Sequence, residues 1–400
     1  MAISLLRCEK NFMKFFNSTI FSFLITLQVF SQALDPKVFE SIHFRFIGPE
    51  GNRAIAIAGE PGNPMISYLG AASGGLWKTY DGGLRWSPMT DSLKVSSIGS
   101  IAIAHSDPNQ VWIGTGETFI IRPAHAMGDG IYHSVDGGNN WQHMGLEKTG
   151  RIGRVIVHPN HSEIIYAAAL GHTYGPQKDR GIYRSKNGGK NWEHILFVDQ
   201  GTGAADLAID PENPNIIYAA MWSVNINTWG LNSGGVGGGI YKSIDGGDSW
   251  IALSNQGLPG GKNRPVGKTA IAVSHSNPNT IYALFEIESP ELWRSDDKGT
   301  TWRLMNHDHT MNERAPYYTR IVVAPDNPEE IYFLSVRFSK SEDGGKTLMK
   351  NPPSGGGDNH DMWIDPLLPD RMMVAHDGCA SISLNRGASF QRVVLPIAQM

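Results

Sequence analysis

The chain has 400 residues and a formal net charge of −4, which gives no electrostatic basis for nucleic-acid binding. Glycine accounts for 46 residues without a three-residue period, which excludes a collagen-like triple helix, and 40% hydrophobic residues exclude a disordered chain. A glycine excess in a chain of this length favours a repeated architecture.

The N-terminal segment is the first predicted element. An apolar run from Phe15 to Phe30 follows Arg7 and Lys14 and leads into small residues, which is typical of a secretory signal peptide. At about 16 residues, with polar side chains among them, the run is short for the alternative, a permanent membrane anchor. We therefore expect residues 1–33 to be a signal peptide and residues 34–400 to be a secreted, periplasmic or cell-surface protein.

The sequence contains only two cysteines. Cys8 lies in the predicted signal peptide, so the mature chain would keep Cys379 and form no disulfide. Cys379 lies in an apolar stretch, which favours a buried structural thiol over a reactive one. An exported protein without disulfides must depend on its apolar core and on regular hydrogen bonding.

A short motif recurs seven times, roughly every 50 residues. Its first copy, Thr79–Trp86, reads TYDGGLRW, and its third residue is acidic or an amide in every copy. Asp and Gly tolerate the left-handed backbone of tight turns, and a short carboxylate can accept hydrogen bonds from nearby amides. The motif therefore predicts seven hairpin turns in which the third residue has a structural role. These residues are Asp81, Asp136, Asn187, Asp245, Asp297, Asp343 and Asn385.

Strand patterns surround each motif. Alternating apolar and polar residues precede it, as in Leu76–Lys78, and favour a strand with one buried face. Two further strands lie upstream around a Pro/Asn turn, as in Val155–Pro159 and Ile164–Ala167. With the strand after the motif, each unit has four antiparallel strands, named A to D here. The pattern predicts an all-β fold, a β-propeller of about seven four-stranded blades, with a β-helix as the alternative.

The motif also carries a family resemblance. S-x-D-G-G-x-x-W resembles the Asp-box (BNR) repeats of sialidases, sortilin-type receptors and two-propeller xyloglucanases. The segment Gly357–Pro366, GDNHDMWIDP, is similar to a pattern of bacterial secreted proteins of the sortilin N-terminal and xyloglucanase-like group. Such proteins usually carry a second propeller, so the resemblance implies a chain truncated from a longer two-propeller parent.

The resemblance implies hydrolytic activities from which this sequence departs. Xyloglucanases have an aspartate two residues before a Gly-Gly pair in blade one, whereas Ala72 stands before Gly74-Gly75 here. Their second catalytic acid comes from the second propeller. Phe44–Pro49 echoes the sialidase F-R-I-P motif only loosely. If the protein is an enzyme, the resemblance implies a glycoside hydrolase with non-standard acidic residues.

A cluster of Asp and His residues lies in the seventh unit. It contains Asp358, His360 and Asp361, followed one strand later by His376 and Asp377. The innermost strands of a propeller line its channel, so these groups could meet there as an acid/base pair or a metal site. The alternative is hydrogen bonding around a water-filled channel. Without a His-x-x-x-His or Cys pair, we expect no metal and no cofactor.

The connections between strands B and C differ greatly in length. Those at Thr115–Asp129, Gly171–Arg180 and Met221–Gly238 are long, and long loops on a rigid scaffold usually carry binding. Glu117 follows a strand end near the expected channel mouth, so it is the first catalytic candidate. The candidate binding residues in these loops are Arg122, His125, His172, Tyr174, Trp222 and Trp229. The two tryptophans could instead cover the hydrophobic surface of their own loop.

The sequence therefore predicts an exported Asp-box propeller that binds a polysaccharide, or an extracellular protein or peptide, on its B–C loop face. Nucleic acid is not an expected partner, and no membrane span is expected after signal cleavage. The alternative is a glycoside hydrolase whose acids are Glu117 with Asp358 or Asp361. A third hypothesis is a sorting or assembly receptor like the sortilins.

Overall fold

The computed structural model describes residues 35–39, 51, 53–119, 126–350, 352–353 and 356–395. The chain divides into two units, Met1–Ile47 and Gly48–Met400. In the first unit, the described residues form a 3₁₀-helix over Pro36–Phe39. The predicted signal peptide lies outside the described residues. None of the helices in the described ranges has the length and hydrophobicity needed to cross a bilayer.

The described part of the second unit forms seven sheets of four main strands each, and we call these sheets blades one to seven. Blade one contains β1 (Ala54–Gly59), β2 (Ser67–Ala71), β3 (Leu76–Thr79) and β4 (Ser87–Pro88). Blade two contains β5 (Ile98–Ala104), β6 (Asp107–Thr115), β7 (Ile131–Ser134) and β8 (Gln142–His143). Blade three contains β9 (Ile152–His158), β10 (His161–Ala169), β11 (Gly181–Ser185) and β12 (Glu193–Leu196).

Blade four has an additional strand and contains β13 (Thr202–Ile209), β14 (Ile217–Asn227), β15 (Gly230–Ser233), β16 (Gly239–Ser243) and β17 (Ile251–Ala252). Blade five contains β18 (Thr269–Val273), β19 (Ile281–Phe285), β20 (Glu291–Ser295) and β21 (Arg303–Asn306). Blade six contains β22 (Arg320–Val323), β23 (Ile331–Leu334), β24 (Phe338–Ser341) and β25 (Met349–Lys350). Blade seven contains β26 (Asn359–Ile364), β27 (Met372–His376), β28 (Cys379–Ser383) and β29 (Gln391–Val393). Short 3₁₀-helices at Glu147–Thr149, Leu253–Gln256 and His309–Asn312 lie in the connections between blades.

The seven blades form a closed ring. The first strand of each blade contacts the first strand of the next, and β26 of blade seven contacts β1 of blade one. At this last junction the Ile57 amide donates to Asp361 Oδ2 at 3.2 Å. The predicted seven-bladed β-propeller is confirmed, with the first strands around the central channel.

The hydrophobic core lies between neighbouring blades. One cluster joins Trp112 and Ile131 of blade two to Ile152 and Val155 of blade three. Because blades stack face to face, both faces of their central strands are covered. The prediction that the strand before each motif buries only one face is therefore wrong, since even Arg184 on β11 is buried.

The buried polar residues of these strands hold the turn of the following blade. A Tyr from strand B and a Lys or Arg from strand C donate to one backbone carbonyl in the C–D turn of the next blade. These contacts are Tyr68 and Lys78 on Gly137 O, Tyr166 and Arg184 on Gly246 O, and Tyr218 and Lys242 on Lys298 O. The repeated turns therefore also fasten neighbouring blades together.

Each copy of the motif forms the turn between strands C and D. In the first copy, Thr79 Oγ1 donates to Asp81 Oδ1 at 2.9 Å, and the same carboxylate oxygen accepts from the Arg85 amide at 2.9 Å. Gly82 and Gly83 have φ of 75° and 103°, a region that an L side chain rarely occupies. The same side-chain contact recurs at Asp136, Asn187, Asp245, Asp297, Asp343 and Asn385. These residues accept hydrogen bonds within their own turns, on seven separate blades.

Candidate functional site

The channel mouth is the end of the propeller where the first strands begin and the second strands end. Residues from the chain before strand A and after strand B therefore meet there, although they are far apart in sequence. We define the channel mouth by Arg53, Glu117, Phe119, Lys268, Arg314, Tyr317, Tyr318, Asp358, His360 and Asp377.

Glu117 is buried at the channel mouth beside a cation. Its Oε1 atom lies 2.7 Å from Arg53 Nη2, and its amide donates to Ala126 O at 2.8 Å. Burial raises the pKa of Glu117, and the Arg53 guanidinium offsets only part of this rise. A buried carboxyl group with a raised pKa is chemically suited to act as a general acid.

A relay of polar contacts connects Glu117 to a second carboxylate. Arg53 Nη1 donates to the Tyr317 hydroxyl at 2.7 Å, and this hydroxyl donates to Asp377 Oδ1 at 3.3 Å. Asp377 Oδ1 also lies 2.7 Å from His360 Nε2. The Asp377 side chain is 37% exposed, whereas Glu117 is buried. The two carboxylates thus flank one guanidinium and one phenol, and Asp377 is the more accessible to a ligand.

Asp358 lies next to Asp377 in blade seven. Its carboxylate accepts a hydrogen bond from the Tyr318 hydroxyl, and its carbonyl accepts from the Asp377 amide at 3.1 Å. Burial, together with the Asp358 carboxylate, raises the pKa of Tyr318, so this phenol stays a donor. The structure therefore places Asp358, Asp377 and Glu117 around the same mouth.

Asp361 lies deeper, in a set of charged residues that we call the channel network. This network consists of Arg154, Asp206, Arg320 and Asp361, from four different first strands. Asp361 Oδ1 is 2.7 Å from Arg320 Nη1 and 3.6 Å from Arg154 Nη1, while Arg154 Nε donates to Asp206 at 2.9 Å. Burial would raise the pKa of Asp206, but Arg154 and Arg320 outweigh it and keep the pKa lowered. None of the described contacts joins Asp361 to Glu117.

The two histidines of the predicted cluster have different surroundings. His360 is buried between Phe119 and Tyr318, with ring centres 4.5 Å and 5.6 Å away, and burial lowers its pKa. His376 is also buried, lies 2.9 Å from Ser381 Oγ, and has a pKa lowered to about 4 by burial. Within the described ranges, no group of three or more His, Cys, Asp or Glu residues could hold a metal ion.

Unfavourable backbone conformations accumulate around the channel mouth. Arg314, Thr319, Asp358 and Cys379 have φ of 51°, 67°, 60° and 103° although none of them is glycine. Such conformations cost on the order of 1–3 kcal/mol each and are enriched at functional sites. Cys379 itself is a buried thiol, and burial raises its pKa to about 11, which disfavours the reactive thiolate form.

The B–C loop of blade three presents two of the predicted binding residues. His172 and Tyr174 are exposed, and Tyr174 forms a backbone bridge with Ile226 of blade four. Below the loop, the buried Arg151 donates to Gly171 O at 2.7 Å and to His172 O at 3.1 Å. The backbone of the loop is therefore held in place by the Arg151 side chain and by the bridge to Ile226. Arg122 and His125 lie outside the described residues.

The expected loop at Met221–Gly238 is a β-hairpin, because β14 continues to Asn227 and pairs with β15. Trp222 at its base is completely buried, and its Nε1 donates to Ser233 Oγ at 2.9 Å. Trp229 at its tip is 87% exposed. The hairpin therefore uses one tryptophan as core and presents the other to solvent.

Lys268 contacts three other segments of the chain near the mouth. Its Nζ atom lies 4.9 Å from the centre of the Phe119 ring and 5.3 Å from that of Trp222, and it donates to Tyr317 O at 3.3 Å. Burial lowers the pKa of Lys268 to about 7.

Arg53, Lys268 and Tyr317 were not predicted as site residues from the sequence. The signal they share is a polar or aromatic residue shortly before strand A.

The chain is similar in sequence to xyloglucanases. No family model matches the chain. A xyloglucanase from a Paenibacillus species is 26% identical over 294 residues, an alignment that covers 72% of this chain and 24% of the relative. The chain thus spans about a quarter of the length of that relative.

Solved structures show the same fold. The GH74 xyloglucanase from Xanthomonas campestris matches with a TM-score of 0.62 and 16% identity, covering 86% of this chain and 54% of that protein. YCF48 bound to D1 peptide matches with a TM-score of 0.53 and 17% identity, covering 84% and 94%. These likenesses support the β-propeller fold, whereas membership of the Asp-box or sortilin group stays a prediction.

Proposed function

We propose that the chain is the propeller of a glycoside hydrolase and acts on a polysaccharide at the channel mouth. The observation that carries this proposal is the relay that joins Glu117 to Asp377 through Arg53 and Tyr317. The similarity to xyloglucanases makes xyloglucan the first substrate to test. Export through residues 1–33 would bring the protein to such a polymer.

The chemistry needs two carboxyl groups on opposite sides of a glycosidic bond. Glu117, with its raised pKa, is the proposed general acid that protonates the leaving oxygen. Asp377, or Asp358 beside it, is the proposed second carboxylate, which either activates water or attacks the anomeric carbon. Asp361 is less suited to this role because the channel network already engages it.

The exposed aromatic residues above the mouth are the proposed binding surface. Trp229 and Tyr174 lie on a hairpin and a loop that pair with each other through Ile226. Rigid aromatic planes suit the apolar faces of sugar rings, and the neighbouring His172 can contribute polar contacts. Arg122 and His125 stay proposed binding residues of the same face.

The proposal is tested by measuring reducing-sugar release from xyloglucan by the purified chain. We expect Glu117→Gln and Asp377→Asn each to lower kcat at least about 100-fold, because acid or base assistance contributes this much. The matched control is Glu212→Gln, an exposed residue in an A–B turn at the other end of the propeller. Unchanged release by the Glu117 variant would contradict the assigned role.

A second candidate function is polysaccharide binding without hydrolysis. It is favoured by the fact that each described carboxylate at the mouth already has a cation, phenol or imidazole as partner. This function predicts measurable affinity for xyloglucan oligosaccharides and no release of reducing ends. Affinity and release measured on the same sample therefore separate the two functions.

A further inference from the structure

Arg314 lies on the outer side of the channel mouth, in the connection before β22. Its side chain is exposed, and its Cζ atom lies 5.6 Å from the centre of the Tyr317 ring and 5.9 Å from that of Tyr318. The carbonyl of Arg314 accepts hydrogen bonds from the amides of both tyrosines, at 2.9 Å and 3.3 Å. The backbone thus folds into a tight turn that places the guanidinium beside the two rings.

The surroundings of Arg314 differ from those of neighbouring arginines. Arg53 and Arg320 each have a carboxylate at 2.7 Å, and the exposed Arg337 has Glu313 at 3.6 Å. Within the described ranges, no carboxylate lies at ion-pair distance from Arg314, and its side chain contacts the tyrosine rings instead. Its hydrogen-bond donors therefore face solvent at the entrance of the site.

The cost of this arrangement favours a role in binding. Arg314 adopts a φ of 51°, which an arginine rarely occupies. The two tyrosine hydroxyls are directed to Asp358 and Asp377, so the rings that hold Arg314 also hold the two accessible carboxylates. A planar guanidinium with several free donors is suited to bidentate recognition of a carboxylate.

We propose that Arg314 recognises the carboxylate of a uronic acid unit in the bound polysaccharide. This inference rests on the proposed function, since it assumes a glycan at the channel mouth. It goes beyond that function by specifying that the glycan carries a negative charge. Sulfate esters share the anionic chemistry of uronates but differ in geometry, so a sulfated glycan forms a separate arm of the test.

The test measures calorimetric affinity for a glucuronic-acid-containing oligosaccharide and for the same oligosaccharide after reduction of its carboxyl groups. We expect the wild type to bind the acidic form about tenfold more tightly, as a charged hydrogen-bonded contact provides. Arg314→Gln should abolish this preference, so that the variant binds the acidic and the neutral form with equal affinity. Arg314→Lys should recover part of it, and the control Arg337→Gln should leave it intact.

Thermal unfolding of each variant confirms that the comparison is made on folded protein. Equal affinity of the wild type for both forms, or a preference that survives Arg314→Gln, would overturn the inference. Tighter, Arg314-dependent binding of a sulfated oligosaccharide than of the uronate would overturn the assignment to uronic acid. If the protein binds neutral xyloglucan oligosaccharides and has no preference for the acidic oligosaccharide, only this inference is overturned. If it binds no glycan, the proposed function is overturned.

Discussion

Arg320 Nη1 lies 2.7 Å from Asp361 Oδ1, across the junction between blades six and seven. The same carboxylate accepts from the Ile57 amide of blade one and lies within ion-pair distance of Arg154 of blade three. Arg320 also reaches across to Gly153 O of blade three, at 3.4 Å. One carboxylate thus joins four blades inside the channel, so we expect Asp361 to contribute to the stability of the ring.

Asp361→Asn should destabilise the propeller by about 3 kcal/mol, because it leaves the buried Arg320 without its charged partner. The free energy of unfolding in urea measures the effect. Asp370→Asn, at an exposed turn of the same blade, is the matched control. An unfolding midpoint equal to that of the wild type would show that the channel network does not hold the ring.

Arg53→Met should shift the pH dependence of hydrolysis. The Arg53 guanidinium lowers the pKa of Glu117 against the effect of burial, so its removal raises that pKa further. Glu117 then stays protonated to higher pH, and the alkaline limb of the kcat/KM profile shifts to higher pH. Arg337→Met serves as the control. A limb that stays in place would assign it to a group other than Glu117.

Lys268→Met should stabilise the protein at acidic pH. The folded pKa of about 7 is below the value of an unfolded lysine, so the folded state binds fewer protons above pH 7. Wild-type stability therefore rises from about pH 7 to pH 10 relative to the variant, by roughly 4 kcal/mol. Urea unfolding at pH 6, 8 and 10 measures this, with the exposed Lys262→Met as control. A constant difference at the three pH values would refute the lowered pKa.

The two hairpin tryptophans should respond oppositely to substitution. Trp229→Ala should weaken glycan affinity by about 1 kcal/mol and leave stability unchanged, because the ring is exposed. Trp222→Ala should cost about 3–5 kcal/mol of stability, since it empties a buried site. Calorimetry and thermal unfolding measure the two effects. Loss of stability in the Trp229 variant would mean that the tip is part of the fold.

The repeated turn motif made the fold predictable because its geometry is local. Asp81 accepts hydrogen bonds from residues within four positions of it, so its role can be read from the sequence. The buried state of Lys78 could not be read in this way, because its partner Gly137 O belongs to the next blade. The basic residue at this position of strand C is explained only by the stacking of neighbouring blades.

The channel mouth was predictable only in part. The end of a strand marks Glu117 as a candidate. Its ion-pair partner Arg53 comes from just before blade one, and Tyr317, which accepts a hydrogen bond from Arg53, comes from the connection before blade six. The sequence predicts a loop at Met221–Gly238, and this is wrong, because the alternating residues Val224–Asn227 form a strand that pairs with β15. Residues far apart in sequence meet at the channel mouth because the blades form a ring. The sequence pattern of a single strand does not predict which blades the ring brings together.

The closure of the ring has a consequence for how the chain can be cut and rejoined. Each of the seven described sheets takes its strands from one continuous stretch of sequence. The Gly51 amide before blade one also donates to Leu395 O, after the last strand of blade seven, at 3.2 Å. The junction between these two blades uses contacts such as Gly62 N to Asp365 Oδ1 at 3.0 Å and Arg371 Nη2 to Ser67 Oγ at 2.7 Å. We therefore expect a circular permutant opened at another blade junction to keep the strands of every described sheet together in sequence.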